Sequence, residues 1–383
     1  MLQLCVSQKI NTHPFAFKAT GIKVYSFEEA LYHVYHYWRE SVDEFLSDGM
    51  IAWVLELGHS YLAGRMKELT RKEPFTQRII DFMQLTEYFS SEEISTLKIS
   101  LEKWEQRREW EKLRERGDYF VNRGEPSKAI PLYKRALQYE ENSTLFNNIG
   151  VAYLQLGAAK DAYPYFMKAL RKSPRNFSIL LHCAEAAILS GHFEDATKFL
   201  KKAQNNHANH ADIPFLNGLM AWEKKDYTNA LAYFSKAIDT DSNVPHYTYK
   251  IVDAHLSMRQ YEKARKALES ITIRDVSYYT KLAELYAAWG NIPRAINASI
   301  QATEAAETPD AVLFAKLAGY YRQDYDPNRA EEAIEKALSI NPEHDIVRLE
   351  NARIRKGLGR TREYQAALTD ILKSFKEKYR QNS

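Results

Sequence analysis

Small and large apolar residues return along this chain at intervals of 33 or 34 positions. The stretch Asn147 to Pro174, NNIGVAYLQLGAAKDAYPYFMKALRKSP, shows the unit best. Its spacing predicts two short amphipathic helices joined by a turn near Gly157, the first carrying Ile149, Gly150 and Tyr153, the second Ala162, Phe166 and Ala169. Pro174 closes the second helix, because proline has no N–H to continue it. Gly150, Ala162 and Ala169 allow close approach, and Tyr153 and Phe166 fill the space beside them. A pair of this size cannot bury its apolar stripe alone, so it requires neighbours.

The neighbours are in the sequence. The same offsets recur at Gly117, Phe120, Ala129, Tyr133 and Ala136, then at Ala184, Ala196, Leu200 and Ala203, and at Gly218, Ala230, Phe234 and Ala237. A looser copy runs through Ala254, Ala264 and Leu268 and reads as about a residue short in its inter-helix turn. Ala283, Tyr286, Ala295, Ser299 and Ala302 follow, then Ala318, Tyr321, Ala330, Ile334, Ala337 and Pro342. These seven copies, from about Trp110 to His344, resemble the tetratricopeptide repeat, a 34-residue helix-turn-helix unit. The resemblance implies a mainly α, right-handed superhelical solenoid of antiparallel helix pairs. Two features depart from the family pattern: its early Trp is replaced throughout, and its closing Pro survives only at Pro174 and Pro342.

Outside the repeats the pattern changes. Leu2, Leu4 and Val6 alternate with polar residues, and Ile22 to Tyr25 forms a second extended run, so two short strands are expected there. Ser26 and Glu29 announce a helix from Phe27. Val42 to Leu69 reads as one helix or as two broken near Gly49 or Gly58, and Phe75 to Tyr88 as another. From the capping box Ser90 and Glu93 to Gly117 no breaker occurs, which leaves one long helix or two stacked ones. The expected organisation is a small α/β or mostly helical capping domain over 1–90, a connector helix over 91–109, repeats over 110–343, and a degenerate repeat or capping helices over 344–383.

Composition narrows the chemistry. The 53 Lys and Arg nearly balance the 50 Asp and Glu, which leaves no nucleic-acid footprint. Most of the aromatic rings fall on packing positions. Only the end of the chain is strongly biased, with nine basic and three acidic residues over 353–383. The two cysteines, Cys5 and Cys183, form no disulfide framework. No signal peptide is read in the first twenty residues and no apolar run reaches membrane-span length, so a cytoplasmic setting without membrane attachment is expected. Catalytic motifs are missing: there is no phosphate loop, HExxH, GxSxG or CxxC. His33, His36 and His59, and separately His207 and His210, fall short of a metal set for want of a third ligand at fixed spacing. No cofactor or metal is expected.

In the tetratricopeptide family the first helices line a concave groove where segments of partner proteins dock. The second, fifth, ninth and twelfth positions of each repeat face it. Carried across, these are Arg114 and Asp118; Asn147, Val151 and Leu154; Leu181, Glu185 and Ile188; Phe215, Leu219 and Trp222; Tyr247 and Lys250; Thr280 and Glu284. The apolar middle of this series is either a binding patch or an extension of the core. The family's carboxylate clamp corresponds here to Arg114, Asp118, Asn148, Ser178 and His182; only Asn148 matches it, and Asp118 would repel a carboxylate. The resemblance implies a non-enzymatic adaptor binding a peptide or helical segment. A second resemblance, to Rap-type bacterial peptide receptors, rests on layout alone, and the expected strands do not suit that group's all-helical N-terminal bundle.

Overall fold

The computed structural model describes residues 12–41, 44–72, 74–207, 209–242, 244–342 and 344–381. Its contacts divide the chain into two compact units, Met1–Ala186 and Ala187–Ser383. The first unit opens with β1 (Phe15–Ala16) and β2 (Lys23–Val24), paired antiparallel with Phe15 opposite Val24. The extended run at 22–25 is thus a strand. Its partner comes from the stretch between the two expected strands, and Leu2 to Val6 lies outside the described residues.

Five helices follow: α1 (Phe27–Tyr37), α2 (Asp48–Glu56), α3 (Ser60–Leu69), α4 (Phe75–Met83) and α5 (Ser91–Glu105). The Ser26 hydroxyl accepts from the Glu29 N–H at 3.2 Å, which starts α1 where the sequence places it. Gly58, at φ +80°, separates α2 from α3. Helix α4 stops at Met83, short of Tyr88, because the chain turns to bury Phe89 flat against Tyr35, with ring centroids 4.5 Å apart. The core formed here is aromatic, with edge-to-face contacts between Phe45 and Phe82 and between Trp38 and Trp104. Leu97, Leu101 and Trp104 of α5 belong to it, so α5 packs as part of this core.

Eight helix pairs make up the remainder. They are α6 (Glu109–Asn122) with α7 (Pro126–Ala136), α8 (Ser143–Gln155) with α9 (Ala159–Lys172), α10 (Phe177–Leu189) with α11 (Phe193–Asn206), and α12 (Asp212–Glu223) with α13 (Tyr227–Thr240). Next come α14 (Pro245–Ser257) with α15 (Tyr261–Glu269), α16 (Val276–Ala288) with α17 (Ile292–Glu304), α18 (Ala311–Gln323) with α19 (Pro327–Ile340), and α20 (Asp345–Gly357) with α21 (Thr361–Gln381). The break between α5 and α6 involves neither Gly nor Pro. It is made by Arg108, whose backbone N–H and guanidinium both reach the Glu111 carboxylate, at 2.9 and 3.0 Å.

Each pair turns through one residue in the left-handed region: Gly124, Gly157, Gly191, Lys225, Arg259, Gly290, Tyr325 or Gly359. These positions are 33 to 35 apart except for Arg259 and Gly290, which are 31 apart. The turn of the fifth pair is therefore of normal length. Its residue aligned with Gly218 is Val252, not Ala254, and the shortening falls in the nine-residue α15. The sequence reading fails here because Arg259 hides a position usually marked by glycine.

Within pairs, the first and second helices trade size. A Cβ on Gly117 would lie 2.4 Å from the ring of Tyr133, on Gly150 2.5 Å from Phe166, and on Gly218 2.6 Å from Phe234. Where the first helix carries Ala318 or Val252, the aligned partner is Ile334 or Leu268, and all four are buried. Helix separation is thus set reciprocally, by glycine against a ring or by a larger residue against an aliphatic chain.

Candidate functional site

Successive first helices are joined by polar rungs. In the first unit, Asp118 of α6 accepts from the Tyr133 hydroxyl at 2.7 Å and from the Asn148 amide of α8 at 2.8 Å, with Arg114 3.8 Å away. Burial, reinforced by the Asp118 charge, pushes the Tyr133 hydroxyl far up, so it stays a donor. Asn147 of α8 meets His182 of α10 at 2.8 Å. Of the five clamp positions, Arg114 and Asn148 are thus gathered around Asp118, while His182 pairs with Asn147.

In the second unit the rungs are charged. The Tyr247 hydroxyl donates to Asp212 at 2.7 Å, joining α14 to α12. Lys281 of α16 donates to Asp253 of α14 and to Glu284, each at 2.8 Å, and Lys316 of α18 donates to Glu284 at 3.0 Å. Burial opposes charge on Lys281, but the two carboxylates outweigh it and hold its pKa above the usual value; Lys281 and Lys316 likewise hold Glu284 below its own. Both therefore stay ionised. The last rung is Glu350 of α20, which accepts from Arg322 Nε of α18 at 2.7 Å and from Arg353 Nη1 at 3.1 Å. The side chains of this network keep between a fifth and a third of their surface at Lys281, Asp253 and Arg322.

The fifteen positions read from the sequence divide into two groups. Arg114, Asp118, Asn147, Val151, Leu154, Glu185, Trp222, Lys250, Thr280 and Glu284 remain partly accessible. Leu181, Ile188, Phe215, Leu219 and Tyr247 are buried, so that of the apolar middle Leu181, Ile188, Phe215 and Leu219 extend the core. Phe215 is enclosed by Phe234, His246 and Tyr247 at centroid distances of 5.1 to 5.6 Å, and Tyr247 is pinned by Asp212. Helix α10 is apolar on most of its circumference and buries both Leu181 and Ile188. Sequence reasoning missed Asp253, Lys281, Lys316, Arg322 and Glu350. The available signal was charge on otherwise apolar first helices, as in Lys281 and Lys316, 35 residues apart.

The histidines do not converge. His33 is buried, stacked on Phe17 at 3.8 Å, with its Nε2 3.3 Å from the hydroxyls of Thr20 and Ser41. His36 is exposed beside Tyr32, and His59 precedes α3 against Phe27. Among the described residues no three His, Cys, Asp or Glu side chains form a metal-holding group. Cys183 is buried, and burial raises its thiol pKa to about 12, as suits a small apolar residue. Among the described residues no helix is long and apolar enough to cross a membrane.

Comparison with known proteins fits this architecture. Three family models, each described as tetratricopeptide repeat, match residues 153–213 and 221–288, residues 114–177 and 184–245, and residues 313–344. The chain belongs to the tetratricopeptide repeat family, whose arrays mediate contacts between proteins. It is 29% identical over 174 residues to the BBSome complex member BBS4 of Bos taurus, covering 44% of this chain and 32% of that protein. It is 25% identical over 258 residues to the TPR repeat-containing protein MJ1428 of Methanocaldococcus jannaschii, covering 60% and 45%. The chain thus spans less than half the length of these curated relatives. Among solved structures, a tetratricopeptide repeat protein from Parabacteroides merdae is similar at a TM-score of 0.45 and 21% identity, covering 63% of this chain and 97% of that one. The type IV pilus biogenesis factor PilW is similar at 0.42 and 16%, covering 54% and 97%.

Proposed function

We propose that this chain is a non-enzymatic adaptor that holds an extended or helical segment of a partner protein against the first-helix face of its repeats. The observation that carries the reading is the composition of the accessible part of α8. Asn147, its carbonyl oxygen engaged by His182, has two amide donors left beside the half-exposed Val151 and Leu154. A donor flanked by apolar side chains is suited to gripping a backbone while burying alternate side chains. Trp222 and Lys250 offer a similar mixture in the second unit. The bovine relative is named as a member of a complex, which fits a protein-binding role.

The test is binding of the full chain to a random-sequence peptide array, repeated with Asn147→Ala, Leu154→Glu and Trp222→Ala variants whose helicity is unchanged. Loss of the selected peptides is expected; the same peptides bound by all three variants would reject this face. The Rap-type alternative requires an all-helical N-terminal bundle, and the β1–β2 pair ahead of Ser26 counts against it.

A further inference from the structure

We infer that the last two helix pairs hold a docking site for an acidic segment of another protein, centred on Arg322 and Arg353. The site uses the first helices α18 and α20, beyond the residues of α8, α12 and α14 proposed above, and either can hold without the other. A cavity of about 710 Å³ lies between the C-terminal end of α18, the turn into α19 and the C-terminal end of α20. Arg322, Arg353 and Lys356 line it, and among the described residues no carboxylate does. A second cavity, of about 360 Å³, continues between α18 and α20 and shares both arginines. Together they are large enough for several residues of a peptide.

The arginines are set in advance. Glu350, only 6% exposed, takes one N–H from each of them, fixing two guanidiniums side by side at the cavity wall. A guanidinium has five N–H donors, so most of each fork still faces an incoming ligand. The Arg353 side chain is 63% exposed despite this anchoring. Gly319 lies beside the arrangement, and a Cβ there would just reach van der Waals contact with the Glu350 carboxyl at 3.4 Å. One buried carboxylate against three cations leaves the site positive, complementary to acidic side chains.

Tyr325 gives the ligand its second property. It occupies the left-handed turn position at φ +59°, where most other pairs have glycine, and its side chain is 93% exposed. A bulky residue is disfavoured in this conformation, and here it covers almost nothing of its own protein. It stands instead on the wall of the basic cavity, with Pro327 and Leu358. A lone inorganic anion would use the arginines but not this apolar rim. A segment carrying Glu or Asp next to Leu or Phe would use both.

The test is fluorescence anisotropy of the full chain with a labelled peptide alternating Glu with Leu and Phe, against the same peptide with Gln for Glu. Binding of the Glu peptide alone, weakening with added salt, is expected. Arg353→Gln should weaken it about tenfold, and Lys356→Gln about threefold, by loss of charge-assisted contacts at exposed side chains. Tyr325→Gly should weaken binding while raising the melting temperature, a pairing that a purely structural tyrosine would not give. Equal affinity for the Gln peptide, or unchanged affinity in both Arg353→Gln and Tyr325→Gly, would overturn the site. So would competition by inorganic phosphate as strong as by the unlabelled peptide. A chain dimer dissociated by Arg353→Gln would make a second copy the occupant and overturn it as well.

Discussion

Replacing Gly150 by alanine tests whether helix pairs are spaced by the reciprocal sizes of their facing residues. The new Cβ would lie 2.5 Å from Phe166 Cε1 and 2.7 Å from Cδ1 and Cζ, whereas relaxed carbon contacts begin near ~3.5 Å. Phe166 is fully buried, so the ring can retreat only by pushing on its own surroundings. Alanine improves helix propensity by about 1 kcal/mol, against about 1–3 kcal/mol for overpacking, so a net loss of up to about 2 kcal/mol is expected. Phe166→Leu alone should cost about 1–2 kcal/mol, from lost ring contacts. The double variant recreates the combination found at Ala184 and Leu200, both buried, and should cost no more than about 1 kcal/mol, giving a favourable coupling of about 1–2 kcal/mol. The assay is a double-mutant cycle by urea denaturation, with amide exchange in α8 and α9 as the local readout, because repeat arrays need not unfold all at once. Two single costs that add to within about 0.5 kcal/mol would refute the reasoning.

Other perturbations probe the polar groups. Burial, and secondarily the Arg123 charge, hold His33 at about 4, below its ordinary 6.5, so its neutral form stabilises the fold above pH 6.5 and that contribution fades as pH falls from 6.5 toward 4. The full change is about 3 kcal/mol; Glu40, pushed up by burial, works in the opposite direction, and His33→Gln should flatten the acid slope of urea midpoints, whereas an unaltered slope would refute the assignment. Asp118→Leu strands the Tyr133 hydroxyl and Asn148 amide and should cost about 2–3 kcal/mol in denaturation, while Asp118→Asn keeps an acceptor and should cost less. Lys281→Met leaves Asp253 and Glu284 facing each other's charge and should lower amide protection in α14 and α16 by about 1–2 kcal/mol, more at low salt than at high.

The repeat array is legible in the sequence because its determinants are local. Glycine or alanine recurs on the first helix, a ring or aliphatic chain sixteen residues later, and usually a glycine at the turn. Where the local marker changes, the reading slips. Arg259 in place of a turn glycine shifts the fifth pair onto Ala254, and Arg108 ends a helix boundary without any breaker. Strand β1 escapes notice because two residues carry no periodicity. For the candidate site, the family frame says which face Phe215 and Tyr247 occupy but not how deeply neighbours cover them. That depth depends on contacts between residues some 35 apart, such as Tyr247 with Asp212. Arg322 and Glu350 are likewise separate ordinary charges until α18 and α20 bring them to 2.7 Å.

The rungs between first helices have a mechanical consequence in the second unit. The second helices bury alanines such as Ala264, Ala295, Ala330 and Ala337, whose dispersion contacts are indifferent to ions. On the first-helix side, Asp253, Lys281, Glu284 and Lys316 are joined by Coulombic links that mobile ions attenuate. Raising ionic strength therefore loosens one edge of the stack and leaves the other as it was. The array should behave as a spring with unequal sides, its bending compliance tunable by salt, while its resistance to sliding stays with the alanine seam.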